Sequence, residues 1–177
     1  LGVDRATAKV AVLGAMYGQT TGHGAAALAG LRRAYPVAVA FLDAAARDAE
    51  AGHDLRTDGG RLVPMGGPSA PSLGEREARA RDAARGRYGR NAVIQGAAAE
   101  LFKVWALVVR ARLAPLDGRI VLCLHDELLV HVPDGGAEQA AAAVDAALQE
   151  AAARWHPGDV RFRAETSIVH TWADAKP

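Results

Sequence analysis

The stretch Ile120-Val121-Leu122-Cys123-Leu124-His125-Asp126-Glu127-Leu128-Leu129-Val130-His131-Val132 sets two adjacent carboxylates between two apolar runs. Each run has the length and the Val, Leu and Ile content of a strand, bounded by Asp117-Gly118 before and Pro133-Asp134-Gly135-Gly136 after. Unpaired acids are too costly to bury between two such strands, so His125, Asp126 and Glu127 are expected at the bend of a hairpin. Tight hairpins favour Asn-Gly or Asp-Gly, whose residues reach positive φ readily, and neither stands at this bend. Three ionisable residues in the place of glycine mark the tip as a candidate site. The plain alternative is a solvated charged turn.

Composition bounds what surrounds that hairpin. Half of the 177 residues are hydrophobic, enough for a core in one domain or two small ones. A net charge of +1 shows no overall preference for polyanions, although a local basic stripe could bind one. The single cysteine, Cys123, excludes a disulfide framework and reads as a small apolar residue in a buried strand. Neither a leader nor an apolar run long enough to span a bilayer stands out, so a soluble cytoplasmic protein with no membrane partner is expected. The chain begins at Leu1 rather than Met, already close to a helical pattern, and reads as a fragment.

Asp4 is the expected N-cap of a helix from about Arg5 to Tyr17, stopped by Gly18 and Gln19-Thr20-Thr21-Gly22. Arg5, Lys9, Leu13 and Tyr17 recur every fourth residue as one stripe, with Val10, Ala11, Val12, Ala15 and Met16 as the packing face. Two cations one turn apart repel unless an anion bridges them, and a polyphosphate would do so. The alternative is a surface helix with snorkelling stems. A short helix around Ala25 to Arg33 precedes one opened by Pro36, with Val39, Leu42 and Ala46 at core spacing and Gly52 after its end. A hairpin from Asp54 to Met65 turns at Asp58-Gly59-Gly60, and the breaker-rich Gly66 to Ser72 marks a boundary between subdomains 1–74 and 75–177.

Arg76, Arg79, Arg81, Arg85, Arg87 and Arg90 form the one basic stretch and lead into a long helix through Asn91 and Gln95 to Leu113. Such a stretch would meet a nucleic-acid backbone, or would simply be a solvated face. Asn91 and Gln95, one turn apart, can donate and accept together, as a reader of base edges must. After the central hairpin, Ala137 to Trp155 read as a helix, Val160 to Ile168 as a further strand, and Trp172 as the residue that packs the tail. That order predicts an α+β fold: a helical part, then an antiparallel sheet with packed helices.

Arg5-Ala6-Thr7-Ala8-Lys9 followed by Tyr17-Gly18 resembles the fingers-helix motif of family A (Pol I-type) DNA polymerases. Leu124-His125-Asp126-Glu127 resembles the palm motif of that family, and the segment from Arg90 to Glu100 the helix between them. The resemblance covers essentially the whole chain and implies a helical fingers subdomain at 1–74 and a C-terminal palm portion at 75–177. It implies template-dependent nucleotidyl transfer with two Mg2+ ions, on primer-template DNA and deoxynucleoside triphosphates, by a monomer of a bacterial cytoplasm or a phage, in replication or repair. Asp126 would be a metal ligand, with Glu127 close by. Arg5 and Lys9 would grip the triphosphate, Lys9 also serving the leaving pyrophosphate, and Tyr17 and Gly18 would meet the templating position. His125 and Gln95 would support the primer terminus, with Arg87 and Asn91 on the duplex.

Two departures accompany the resemblance. Leu13 stands where many members carry an aromatic ring against the nucleotide. The family's other catalytic aspartate belongs to a motif upstream of the fingers helix, where only Asp4 stands here, so a fragment that binds DNA weakly and does not polymerise alone is expected. The rival readings are a noncatalytic nucleic-acid-binding module on the arginine stretch and a metal-dependent hydrolase using His125, Asp126 and His131.

Overall fold

The computed structural model describes residues 4–17, 23–69, 74–155, 158 and 160–175. Three helices come first: α1 (Arg5–Tyr17), α2 (His23–Ala34) and α3 (Pro36–Glu50). A small hairpin, β1 (Leu55–Arg56) and β2 (Leu62–Val63), leads to the long helix α4 (Glu75–Leu113). Then come the hairpin β3 (Arg119–Leu124) and β4 (Glu127–His131) and the helix α5 (Ala137–Trp155). Both described sheets are antiparallel and two-stranded, so the fold is α+β and mostly helical. The chain divides into two compact units, Leu1–Ala97 and Ala98–Pro177, the division falling inside α4.

In the first unit, α1 starts as its sequence predicts. The Asp4 carboxylate accepts from the Thr7 backbone N–H at 3.0 Å and from the Thr7 hydroxyl at 2.7 Å, and these bonds hold its pKa below the ordinary 3.8. α1 lies along α2. Of the expected packing face, Val10 and Val12 are exposed, and the side chains of Ala11, Ala15 and Met16 lie outside the described residues; Gly14 is buried and Ala8 half-buried. α1 also touches α3.

The core of this unit gathers on α3. Pro36 opens that helix with its fixed φ suited to a first turn, and Val39, Leu42, Ala45 and Ala49 face inward. They meet Leu28 of α2, Leu55, Val63 and Met65 around the hairpin, and Val93 of α4. α4 approaches α3 closely at Gly89, where a Cβ would collide with the Ala49 methyl and meet the Leu55 Cδ1 at 2.9 Å. The Asp43 carboxylate ties three helices: it accepts from Arg90 of α4, 10 % exposed, and from Arg32 of α2 at 3.0 Å, 54 % exposed.

In the second unit, Trp105, Val109 and Leu113 recur one turn apart on α4 and pack against Ala140, Val144, Ala147, Leu148 and Ala151 of α5. The Trp105 indole N–H donates to the Val144 carbonyl at 3.1 Å, so the ring is buried with its polar atom satisfied. Ile120, Leu128 and Val130 close the same core from the hairpin. Register runs from Arg119 opposite His131 to Leu124 opposite Glu127, with a step between Ile120 and Leu122 that makes Val121 an extra residue, a β-bulge.

Glu150 of α5 accepts from the Arg112 Nε at 3.1 Å and Nη2 at 2.7 Å, and pairs with Arg154 at 2.5 Å. The Arg112 hydrogen bonds, then the charges of Arg154 and Arg112, hold its pKa below the ordinary 4.5. A depressed folded-state pKa gives stability that is present above the ordinary value and is lost as pH falls through the folded one. Melting curves should therefore show Glu150→Gln less stable than the parent at neutral pH, the difference closing as pH falls below 4.5. A gap independent of pH would show that the charge contributes nothing.

Several expectations fail, and the first is the sheet: the β3–β4 ladder has no third strand among the described residues. Residues 160–169 form no ladder; Phe162 and Ala164 face the core in alternation, and the Phe162 carbonyl accepts from the Gln149 amide at 3.3 Å. Cys123 is exposed rather than buried, although it stands opposite Leu128 on the face that turns to the core, one pair below the turn. Trp172 is 46 % exposed on a short 3-10 turn and does not pin the tail. α4 also carries an 18-residue window with mean hydropathy 1.6, long and apolar enough to cross a membrane by length and composition, contrary to the expected lack of such a run. Alanine and valine raise that mean, and Trp105 and Val109 from the same stretch are core residues of the second unit.

Candidate active site

The acidic tip lies in the second unit. β3 ends at Leu124, β4 starts at Glu127, and His125 and Asp126 alone make the turn. His125 takes φ +53, the left-handed region that a two-residue turn demands and that few residues with a side chain adopt. Non-glycine residues in this region are held there by their surroundings, and they cluster at functional sites. The ladder beneath supplies the constraint, since Leu124 and Glu127 are paired immediately below the turn.

His125, Asp126 and Glu127 are all exposed, and among the described residues neither carboxylate has a hydrogen bond or ion pair. Desolvated acids need partners; these stand in water with their oxygens open. No three His, Cys, Asp or Glu side chains gather as a cage among the described residues. The donor set suits Mg2+, which prefers oxygen and is commonly held by one or two carboxylates together with waters and substrate phosphates. His131 pairs with Arg119 at the opposite end of the ladder. At about 3.3 Å per residue it stands well over 10 Å from Asp126. A His125–Asp126–His131 metal centre therefore does not form.

The remaining candidates lie in the first unit. On α1, Arg5, Lys9 and Leu13 are exposed along one stripe, Leu13 by 40 %. Tyr17 closes the helix; its side chain and Gly18 lie outside the described residues. On α4, Arg87 and Gln95 are exposed, and Asn91 between them is half-buried with its Oδ1 out of solvent and without a hydrogen-bond partner.

The arginine stretch is not one surface. Arg85 bonds to Asp82 and to the carbonyls of Gly67 and Glu50, and Arg90 is buried against Asp43. Arg79 pairs with Glu75 at 3.3 Å, and Arg76, Arg81 and Arg87 remain exposed. Sequence spacing showed the stripe but missed Asp43 as its partner. The available signal was Gly89 beside Arg90, since a glycine inside a helix marks a face pressed against a neighbour.

The sequence model of DNA polymerase family A matches residues 3–174. Over 106 residues the chain is 36% identical to a thermostable DNA polymerase I of Thermus filiformis, an alignment covering 60% of this chain and 12% of that protein. It is 35% identical over 107 residues to a DNA polymerase I of Mycobacterium leprae, covering 59% of this chain and 11% of that protein. It is 31% identical over 107 residues to a DNA polymerase theta of Caenorhabditis elegans, covering 60% of this chain and 6% of that protein. The aligned region is thus a small part of each relative. The family match takes in both hairpins and every described helix, and the chain belongs to DNA polymerase family A.

Proposed function

We propose that these residues form the fingers portion (1–74) and the C-terminal palm portion (75–177) of a DNA-directed DNA polymerase acting on primer-template DNA and deoxynucleoside triphosphates. The observation that carries the reading is the turn at His125-Asp126: two open carboxylates at a two-residue bend whose His125 takes positive φ, in a chain of this family.

In this reading Arg5 and Lys9 bind the triphosphate as charge-assisted donors, and one bridging anion relieves their mutual repulsion. As the primer 3′ oxygen bonds to the α-phosphorus and the bond to pyrophosphate breaks, Lys9 neutralises or protonates the leaving oxygen. Leu13 covers the nucleotide with an aliphatic side chain, and Tyr17 and Gly18 border the templating base. His125 and Gln95 hold the primer terminus, and Arg87 and Asn91 contact the duplex. Minor-groove acceptors are nearly alike for all base pairs, so such contacts test pair shape rather than sequence.

Asp126 would hold Mg2+, with Glu127 as its weaker neighbour. When bound, Mg2+ would supply charge stabilisation for nucleotidyl transfer. A site for two such ions needs more carboxylate than one aspartate and its neighbour supply, so the activity is assigned to a polypeptide larger than these 177 residues, which alone would bind DNA weakly. The setting proposed is a bacterial cytoplasm or a phage-encoded enzyme working as a monomer.

Primer extension by the polypeptide that carries these residues tests the reading. Lys9→Ala should lower kcat by roughly 10²-fold while DNA affinity is retained. An unchanged kcat would remove Lys9 from the chemistry and leave a surface helix.

A further inference from the structure

Among the described residues α1 contributes none to the core of the first unit; it lies chiefly along α2 and touches α3 to a smaller extent. Its orientation therefore follows α2 in the main. α2 in turn is joined to α3 by one residue, Tyr35, at φ −135° and ψ 62°, before Pro36 fixes the start of the next helix. The Tyr35 N–H donates to the Leu31 carbonyl at 2.8 Å and its carbonyl accepts from the Val39 N–H at 3.1 Å, so both helices run up to this residue and the angle between them is set at its two torsions. α3, the β1–β2 hairpin and the first part of α4 form the firmer body, interlocked through Val39, Leu42, Ala49, Leu55 and Val93 and by the close approach at Gly89.

Besides the contact of α1 on α3, two ties from α2 hold the arm against that body among the described residues. Leu28 and Leu31 of α2 pack into the core, and the Arg32 guanidinium, one turn before the joint, donates to the Asp43 carboxylate at 3.0 Å. Apolar contact is non-directional and tolerates sliding, whereas a guanidinium on a carboxylate fixes position. Asp43 is itself held, because its other oxygen accepts from the buried Arg90 of α4. Arg90 immediately precedes Asn91 on the helix proposed to meet the duplex. One carboxylate thus ties the helix carrying Arg5 and Lys9, through α2, to the helix carrying Arg87, Asn91 and Gln95.

We infer that Arg32 is a positioning residue for nucleotide binding: its bond to Asp43 sets the angle of the α1–α2 arm, and so places Arg5 and Lys9 relative to α4. This rests on the polymerase reading above. Arg32 is half-exposed, and its loss leaves the buried Asp43–Arg90 pair in place, so the fold should survive its removal.

The experiment is steady-state primer extension by the polypeptide that carries these residues, with separate measurement of duplex affinity and melting temperature. Arg32→Ala should raise the KM for the incoming nucleotide by about 2- to 5-fold, the range expected for one partly exposed ion pair. kcat, duplex affinity and melting temperature should stay close to those of the parent. Arg32→Lys, which keeps the charge and loses the fork, should recover most of the KM. Arg33→Ala removes an equal exposed charge beside it and should change nothing. An unchanged KM in Arg32→Ala would overturn the inference. So would a loss of KM, duplex affinity and melting temperature together, which a merely structural role predicts. Failure of the parent to extend any primer would instead overturn the polymerase reading, and this assignment with it.

Discussion

Replacing Asp126 with alanine should abolish primer extension by the polypeptide that carries these residues, by about 10³-fold or more, with duplex binding intact. Removing a metal-holding carboxylate forfeits several kcal/mol of charge stabilisation in the transition state, and each ~1.4 kcal/mol is a factor of ten in rate. Glu127→Ala should cost about 10- to 100-fold, as substitutions beside a metal ligand do. The turn makes the comparison clean. Asp126 is exposed and, among the described residues, unpaired, so the fold loses little when it goes. Near-normal extension by the Asp126 variant would return the tip to a charged bend and favour the noncatalytic nucleic-acid module, which needs no carboxylate there.

Asp43→Ala should destabilise the first unit by about 3–5 kcal/mol in equilibrium denaturation, because it removes the carboxylate that pairs with the buried guanidinium of Arg90. The Arg90 side chain is 10 % exposed and that of Asp43 24 %, so water cannot readily take over. The pair between Arg119 and Asp117, at 3.7 Å with both side chains more than three-quarters exposed, provides the contrast. Breaking that one should cost less than about 1 kcal/mol. Equal losses from the two substitutions would show that burial does not govern the difference.

Much of the architecture was legible wherever a local signal decides the structure alone. Pro36 places the start of α3, Asp4 caps α1, and the apolar spacing from Ala137 to Trp155 gives α5 its observed bounds. The tip was legible too, because three ionisable residues between apolar runs leave the chain little choice. Illegible features depend on partners distant in sequence. Cys123 reads as buried because apolar neighbours imply cover, yet it is exposed one pair below the turn, although it stands opposite the core residue Leu128. Residues 160–169 have strand-like alternation, but alternation shows only which side chains turn inward, and a ladder needs a neighbouring backbone. Arg90 belongs by spacing to the arginine stretch. Only the meeting of α4 with α3 shows that Asp43, 47 positions earlier, takes it out of that surface.

The extra residue at Val121 has a consequence for how such a hairpin can change over evolutionary time. Side chains alternate along a strand, so losing or gaining one residue reverses which of them face inward from that point to the turn. Val121 absorbs one such offset: it stands unpaired, while Ile120 opposite Val130 and Leu122 opposite Leu129 are consecutive pairs of the ladder. Deleting the Val121 codon would leave every pair from Arg119 to Leu124 in place and His125 and Asp126 facing as they do, whereas deleting a paired residue would turn its neighbours over. β3 can therefore lose that one residue or exchange one apolar residue for another, while the number of its paired positions is held fixed. In this hairpin the reading frame of the strand, more than its composition, keeps the acid where chemistry can reach it.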